Sequence, residues 1–239
     1  MKNKDLRWKL AQEYEHNWWK KREEIIGVLY YEHSANDIRD YLSTSNILNS
    51  NTFILEIGSG AYGILTYLQE SKNRFGIDPL ETYYSSVPAF SNKRDKLVQY
   101  LTAKGESLPF DEKMFDLIIL DNVLDHCENP SKVFEEIKRV IKQEGVIYFR
   151  QNTYNAYGKF LRGLMELFLV DKGHPFTFRK SNIKHLLAQN ELTIIQAEKA
   201  GYFTTWWHEL TSKSIKDKIK ALLFITRDKV TYFITNSKK

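Results

Sequence analysis

Glycines and carboxylates recur in this chain at spacings that suit a nucleoside. In residues 53–63, FILEIGSGAYG, an apolar run leads into Gly58, Gly60 and Gly63, and a helical pattern starts near Ile64. Glycines there let the backbone turn sharply and let a ligand approach the main chain, while free N–H groups at a helix start face a polar or anionic ligand. Taken alone the spacing also matches a dinucleotide fingerprint. Twenty residues after Gly58, the run RFGID ends at Asp78, ahead of Pro79. An acidic residue at the tip of a second strand accepts hydrogen bonds from both ribose hydroxyls. Glu56 bears on which nucleoside this is. A buried carboxylate beside the loop needs N–H or cationic partners, which an ammonium group would help to supply, and it repels a pyrophosphate.

Two imidazoles are base candidates for a hydroxyl nucleophile: His126, after the fourth apolar run, and His174, just before Pro175. Imidazoles titrate near working pH, and a structural role is the alternative for each. Asp121, Asp125 and His126 are close in sequence, but Asp125 and His126 read as the head of a helix, where Asp is a plain cap, so no metal is expected.

The elements that must hold these residues alternate. Apolar runs FILEI, RFGID, LVQYLTA, FDLIIL and GVIYFRQ are interleaved with helical patterns such as GILTYLQE and SKVFEEIKRVI. Strands apolar throughout and separated by helices indicate parallel βαβ units buried on both faces, a doubly wound α/β sheet that places ligands at the carboxyl ends of its strands. Beyond Gln151 the pattern predicts an amphipathic helix over Phe160 to Val170, a helix in SNIKHLLAQN, a strand in LTIIQAEKA, a helix from Trp206 to Ile219 and a final strand KVTYFIT; the two strands could form an antiparallel edge pair, a direction that sequence alone does not fix. Ahead of the sheet, Trp8, Tyr14, Trp18, Trp19, Ile25 and Ile26 recur at helical spacing, and a Ser/Asn-rich break follows from Ser43 to Thr52. Residues 1–45 are thus expected as a helical appendage and 46–239 as the main domain, with 153–180 and 201–226 as cap-like insertions. Tyr14, Trp18 and Trp19 beside Lys20, Lys21 and Arg22 suit a lid over the pocket or permanent packing against the sheet's helices.

Composition narrows the class. The 239 residues are 42% hydrophobic, 27% charged and 14% aromatic, which fits a globular domain with a core. The single cysteine, Cys127, argues against a disulfide framework and a cysteine-based zinc site and fits a reducing cytosol. No run reaches the roughly 18 apolar residues of a membrane span and no apolar stretch opens the chain, so a cytoplasmic location is expected. A net charge of +5 permits an anionic partner. Its basic residues are scattered rather than gathered with aromatics, so no nucleic-acid partner is expected. The exception is Lys213, Lys216, Lys218 and Lys220, a solvated helix face or a phosphate or lipid-headgroup patch. Phe160 to Val170, with Tyr154, Tyr157 and Trp206 to His208, supplies core packing, a substrate cap or a peripheral membrane contact.

Residues 105–149, GESLPFDEKMFDLIILDNVLDHCENPSKVFEEIKRVIKQEGVIYF, make the pattern specific. From Phe53 to Phe149 the chain resembles class I S-adenosylmethionine-dependent methyltransferases, of the subgroup that methylates small molecules, lipids or glycans. Glu56 with Gly58 and Gly60, then Asp78, then Glu106 before Leu108, Pro109 and Phe110, then Asp121 with Asn122, stand in that family's order. The resemblance implies a doubly wound, mostly parallel seven-stranded sheet and S-adenosylmethionine as cofactor. Gly58 and Gly60, with Ser59, would lie against its methionine part, Asp78 with Pro79 at the ribose, and Glu106 with Ser107 beside the adenine. Asn122, or the backbone around Leu120 and Asp121, would line the methyl-donating side. The chain departs from the family at Tyr62, where a third glycine is common; here it is Gly63. The expected reaction is methyl transfer, to oxygen, on a small-molecule, glycan or lipid-linked acceptor. An NAD-dependent oxidoreductase and a catalytically silent nucleoside-binding protein on the same fold are the alternatives, although the first explains neither Glu56 nor Glu106.

Overall fold

Apolar runs become strands, and those at the centre of the sheet are shielded from water on both faces. The computed structural model of the chain describes residues 4–22, 29–43, 47–167, 173–199 and 201–236. In it β1 (Phe53–Ile57), β2 (Asn73–Asp78), β3 (Val98–Thr102), β4 (Phe115–Asp121), β5 (Ile141–Thr153), β6 (Thr193–Lys199) and β7 (Asp228–Thr235) form one sheet in the order β3-β2-β1-β4-β5-β7-β6. β1 to β5 run parallel, and β7 lies antiparallel between β5 and β6. From β1 and β4 the strand order runs outward in opposite directions, which opens a crevice beyond their carboxyl ends.

The helices are α1 (Lys4–Lys20), α2 (Leu29–Leu42), α3 (Glu81–Ser86), α4 (Pro88–Ser91), α5 (Pro130–Val140), α6 (Ala156–Leu167), α7 (Lys180–Gln189), α8 (Tyr202–Thr211) and α9 (Ile215–Leu222). Alternation sorts strand side chains into two layers. Leu55, Ile57, Ile118 and Leu120 meet Val133, Phe134 and Ile137 of α5 and Ile183 and Leu187 of α7 on one face. Ile54, Leu117 and Ile119 meet Ala35, Ile38 and Leu42 of α2 on the other. The stretch expected as an appendage is therefore divided. α2 packs as core, whereas α1 covers the crevice. α5 starts where Asn129 accepts a hydrogen bond from the Lys132 N–H, with Pro130 in its first turn. The expected helix head at Asp125 and His126 is instead a separate 3₁₀ turn, Leu124–His126. The Asp125 carboxylate is drawn away from capping by the Gln151 side-chain amide, which donates to it at 2.9 Å.

Two expected helices differ for local reasons. GILTYLQE forms only a 3₁₀ turn, Ile64–Tyr67. Arg74 donates to the Leu65 carbonyl at 2.7 Å and Arg39 donates to that of Tyr67, so carbonyls a continuing α-helix would use are taken. The helix from Trp206 to Ile219 is split into α8 and α9 where Ser214 accepts from the Asp217 N–H and restarts the turn. The amphipathic helix expected from Phe160 begins earlier, at Ala156, and its expected end at 168–170 lies outside the described residues, as do Ile25 and Ile26.

The loop after β1 is held from beneath by Arg94. Its guanidinium donates to both Glu81 oxygens at 2.7 and 2.9 Å and to the carbonyls of Ala61 and Gly60 at 2.7 and 3.0 Å. Both side chains are 5% exposed. Removing one partner of such a pair leaves a buried charge, at a cost of about 3–5 kcal/mol. Arg94→Met is expected to lower the unfolding free energy by that amount, read as a fall in the urea midpoint at unchanged slope, and Arg94→Met with Glu81→Gln to recover much of it; additive losses in the double variant would show that the two groups do not act as a pair.

Candidate active site

The crevice is a cavity of about 840 Å³, inside the ~300–1,000 Å³ range of small-molecule sites. Its floor is the loop after β1, its sides are the tips of β2 and β4, and its roof is α1. Glu56, Gly58, Ser59, Gly60, Asp78, Pro79, Glu106, Asp121, Asn122, His126 and His174 all line it. Of the positions singled out from the sequence, Ser107 does not: it is exposed, bridged to Lys104 on the far side of its turn.

Glu56 is 2% exposed, and its two oxygens accept the N–H groups of Ile64 and Leu65 at 2.9 and 3.1 Å. Burial pushes its carboxyl up to about 8, against the pull of those two donors. Gly63 follows from this: its φ is +73°, and a Cβ there would stand 2.8 Å from Glu56 Oε2. The displaced third glycine is thus the one that admits the carboxylate. At the tip of β2, Asp78 accepts from the Leu80 N–H at 2.8 Å and the Gly60 N–H at 3.1 Å. Burial raises its carboxyl to about 6, and the same two donors oppose the rise. Each oxygen keeps acceptor capacity for a ribose hydroxyl. Ser59 Oγ is buried without a hydrogen-bond partner. These groups fit a nucleoside cofactor: Asp78 suits its ribose and Ser59 offers an unused polar atom.

The other acidic residues are already engaged. Glu106 Oε1 accepts the N–H groups of Glu128 and Asn129 at 2.7 and 3.0 Å, tying its turn to the approach to α5. Asp121 receives Arg150 in a bidentate pair at 2.7 and 2.5 Å and the Tyr30 hydroxyl at 2.8 Å. Burial, then the Asp121 charge, pushes the Tyr30 hydroxyl well above its ordinary range. Asn122 sits at φ +57° and its side-chain oxygen accepts from Gln151 and from the Asn152 N–H, so that oxygen faces β5. Sequence reasoning missed Arg150 and Tyr30; an arginine inside the apolar run GVIYFRQ was the available signal.

α1 supplies Trp8, Glu15, Trp18 and Trp19 to the cavity. Trp19 is 6% exposed, meets Tyr62, Tyr84 and Phe90 edge-on, and lies over Gly60, where a Cβ would come within 3.1 Å of its ring. Its indole N–H donates to Glu15 at 2.9 Å. Arg7 clasps Glu166 of α6 at 2.5 and 2.9 Å, fastening the roof at its other end.

His126 and His174 face each other with ring centroids 4.7 Å apart. His126 Nδ1 is buried without a hydrogen-bond partner, 3.9 Å from Glu15 Oε2. Its Nε2 is 4.0 Å from Asp125 Oδ1. Asp125, His126 and His174 are a group among the described residues that could hold a metal, with ligand atoms within 4.8 Å of one another. Ligands on an ion at ~2.1 Å sit about 3–3.5 Å apart, closer than that 4.0 Å separation, and Asp125 already serves Gln151.

Comparison with known proteins agrees with this geometry. Residues 55–149 match the family described as a methyltransferase domain. A ubiquinone biosynthesis O-methyltransferase from Rickettsia typhi is 31% identical over 137 residues, 55% of this chain and 54% of that one, so the match spans about half of the relative. Among solved structures, geranyl diphosphate C-methyltransferase from Streptomyces coelicolor, in complex with Mg2+, geranyl diphosphate and S-adenosyl-L-homocysteine, superposes with a TM-score of 0.64 at 12% identity, covering 85% of this chain and 78% of that one. The YcgJ protein from Bacillus subtilis superposes with a TM-score of 0.61 at 16% identity, covering 87% and 100%. Residues 55–149 thus carry a methyltransferase domain, set in a sheet whose strand order and crevice at the β1/β4 reversal give the chain the fold of class I S-adenosylmethionine-dependent methyltransferases.

Proposed function

We propose that this protein transfers a methyl group from S-adenosylmethionine to a hydroxyl oxygen of a small-molecule, glycan or lipid-linked acceptor, acting in the cytoplasm. The observation that carries the reading is one cavity that joins Asp78 and the unpartnered Ser59 Oγ to an imidazole whose Nδ1 is also unpartnered. The name of the Rickettsia relative, an O-methyltransferase, supports oxygen as the nucleophile.

The bound cofactor supplies an activated methyl carbon, so the protein has mainly to orient the partners and exclude water. Asp78 holds the ribose through its remaining acceptor sites, with Gly58 and Gly60 beside the methionine part. Trp18 and Trp19 on α1 close the cavity to solvent. His126 Nδ1 would take the proton of the acceptor hydroxyl as the methyl carbon passes from the cofactor's sulfur to that oxygen and the sulfur leaves as a neutral thioether. Glu15, 3.9 Å away, then faces the imidazolium and balances its charge. His174, whose ring is tilted against that of His126 at 4.7 Å, would help to hold the ring that receives the proton.

Asp78→Asn is expected to weaken S-adenosylhomocysteine binding by roughly 10- to 100-fold, the equivalent of ~1.5–3 kcal/mol for a charge-assisted bond. An ionised carboxylate accepts more than a protonated one, so wild-type affinity should rise with pH through about 6, the value to which burial lifts Asp78, and the rise should be absent in the variant. Calorimetry between acidic and neutral pH reads both; equal affinities in folded wild type and variant would remove Asp78 from the cofactor site. His126→Gln is expected to lower kcat by about 100-fold or more while cofactor affinity stays within a factor of about two. Unaltered kcat would leave positioning as the sole source of rate.

A further inference from the structure

Helices α8 and α9 present apolar side chains to solvent. Along α9, Ile215, Ile219 and Leu222 recur at i, i+4 and i+7 and are 74%, 49% and 67% exposed. Along α8, Phe203 and Trp207 stand four residues apart and are 79% and 62% exposed. A helix on a globular core normally turns such a stripe inward. Here Ala221 faces the protein, fully buried. The two helices are locked together by Trp206, whose indole N–H donates to the Ala221 carbonyl at 3.0 Å and whose ring stacks on Phe224. The outward apolar face is therefore fixed by packing.

Its border is cationic. At ~100° per residue, Lys216 and Lys220 flank the α9 stripe on one side and Lys218 on the other. Residues 202–227 carry Lys213, Lys216, Lys218, Lys220 and Arg227 against only Glu209 and Asp217. Glu209 is buried, and Asp217 is paired with Lys220 at 2.9 Å. Lys213, Lys216, Lys218 and Arg227 have no ion-pair partner among the described residues. Apolar side chains bordered by lysines are what an interfacial helix needs, the hydrocarbon entering the acyl boundary and the ammonium groups remaining among phosphates. No described helix is long and apolar enough to cross a membrane, so the contact would be peripheral. Lys216, Lys220 and Arg227 also line the cavity, which puts its mouth beside this face.

We infer that the α8–α9 hairpin docks the protein on an anionic lipid bilayer, with Phe203, Trp207, Ile215, Ile219 and Leu222 inserted and the lysines on lipid phosphates. Docked in this way, the cavity opens toward the headgroup layer. The inference concerns binding and is read without turnover, so it stands or falls separately from the methyl-transfer reading. The full chain is floated with vesicles of phosphatidylcholine alone and of phosphatidylcholine with phosphatidylglycerol at roughly 2:1. Wild type should float with the anionic vesicles at least about 10-fold more than with the neutral ones, and less as salt is raised. Trp207→Ser with Ile215→Ser and Leu222→Ser, all exposed positions, should reduce flotation by about 10-fold or more while S-adenosylhomocysteine binding persists. Lys213→Glu with Lys218→Glu, away from the cavity lining, should also release it. Equal flotation of wild type and the serine variant, or none with anionic vesicles, overturns the proposal. So does a dimer in solution that the serine substitutions dissociate, because a second copy would then cover this face.

Discussion

The arrangement around β1 depends on one carboxylate with almost no access to water. Glu56 lies where β1 ends, and its burial is tolerable only because two backbone N–H groups are brought to it. That demand fixes the turn that follows. Ile64 and Leu65 must point their N–H groups back at the strand, Gly63 must lack a side chain, and the chain must turn tightly at the place where a ligand approaches the main chain. A carboxyl raised to about 8 in this position also responds to charge, since a cationic ligand in the crevice favours its ionised form.

Most of the polar capacity of the crevice is spent on its own framework. Asp78 secures Gly60 and the turn at Leu80, Glu106 ties its turn to the approach to α5, and Asp121 is held by Arg150 and Tyr30. Each fixes a strand end against a segment distant in sequence, which gives the site a defined shape before a ligand arrives. Among the groups at the strand tips, Ser59 Oγ and His126 Nδ1 are without a hydrogen-bond partner, and Asp78 keeps its second acceptor positions.

Strands were legible where burial on both faces made them apolar at all but one residue, as in FILEI and FDLIIL, and the glycine and acidic residues at their tips were legible because their types are unusual beside such runs. Legibility ended where the partner decides the outcome. Nothing in GILTYLQE tells that Arg74 and Arg39, from other elements, take its carbonyls and hold it to a 3₁₀ turn. Ser107 is adjacent to Glu106, yet the two diverge because only Glu106 is claimed by backbone N–H groups inside the molecule. The bond from Tyr30 to Asp121 and the contact of Trp19 on Gly60 join segments whose sequences carry no shared signal. The apolar spacing of α9 was visible as a helix, but which way its stripe faces depends on how Trp206 and Phe224 lock it to α8.

The position of β7 bears on how the chain assembles during synthesis. The last strand in sequence lies inside the sheet, pairing with β5 along Val146 to Thr153 and with β6 along Thr193 to Lys199. Among the described residues β6 pairs with no other strand, so until the ribosome has released residues 228–235 the nascent chain holds a long open edge on β5 and a strand with no neighbour. Exposed edges recruit foreign strands, and domains fold as units once their non-local pairings become available. The half of the sheet from β3 to β5, which carries the cofactor-facing loops, is free to form first. Its completion waits on the final strand, and chaperone protection would be needed most in that interval.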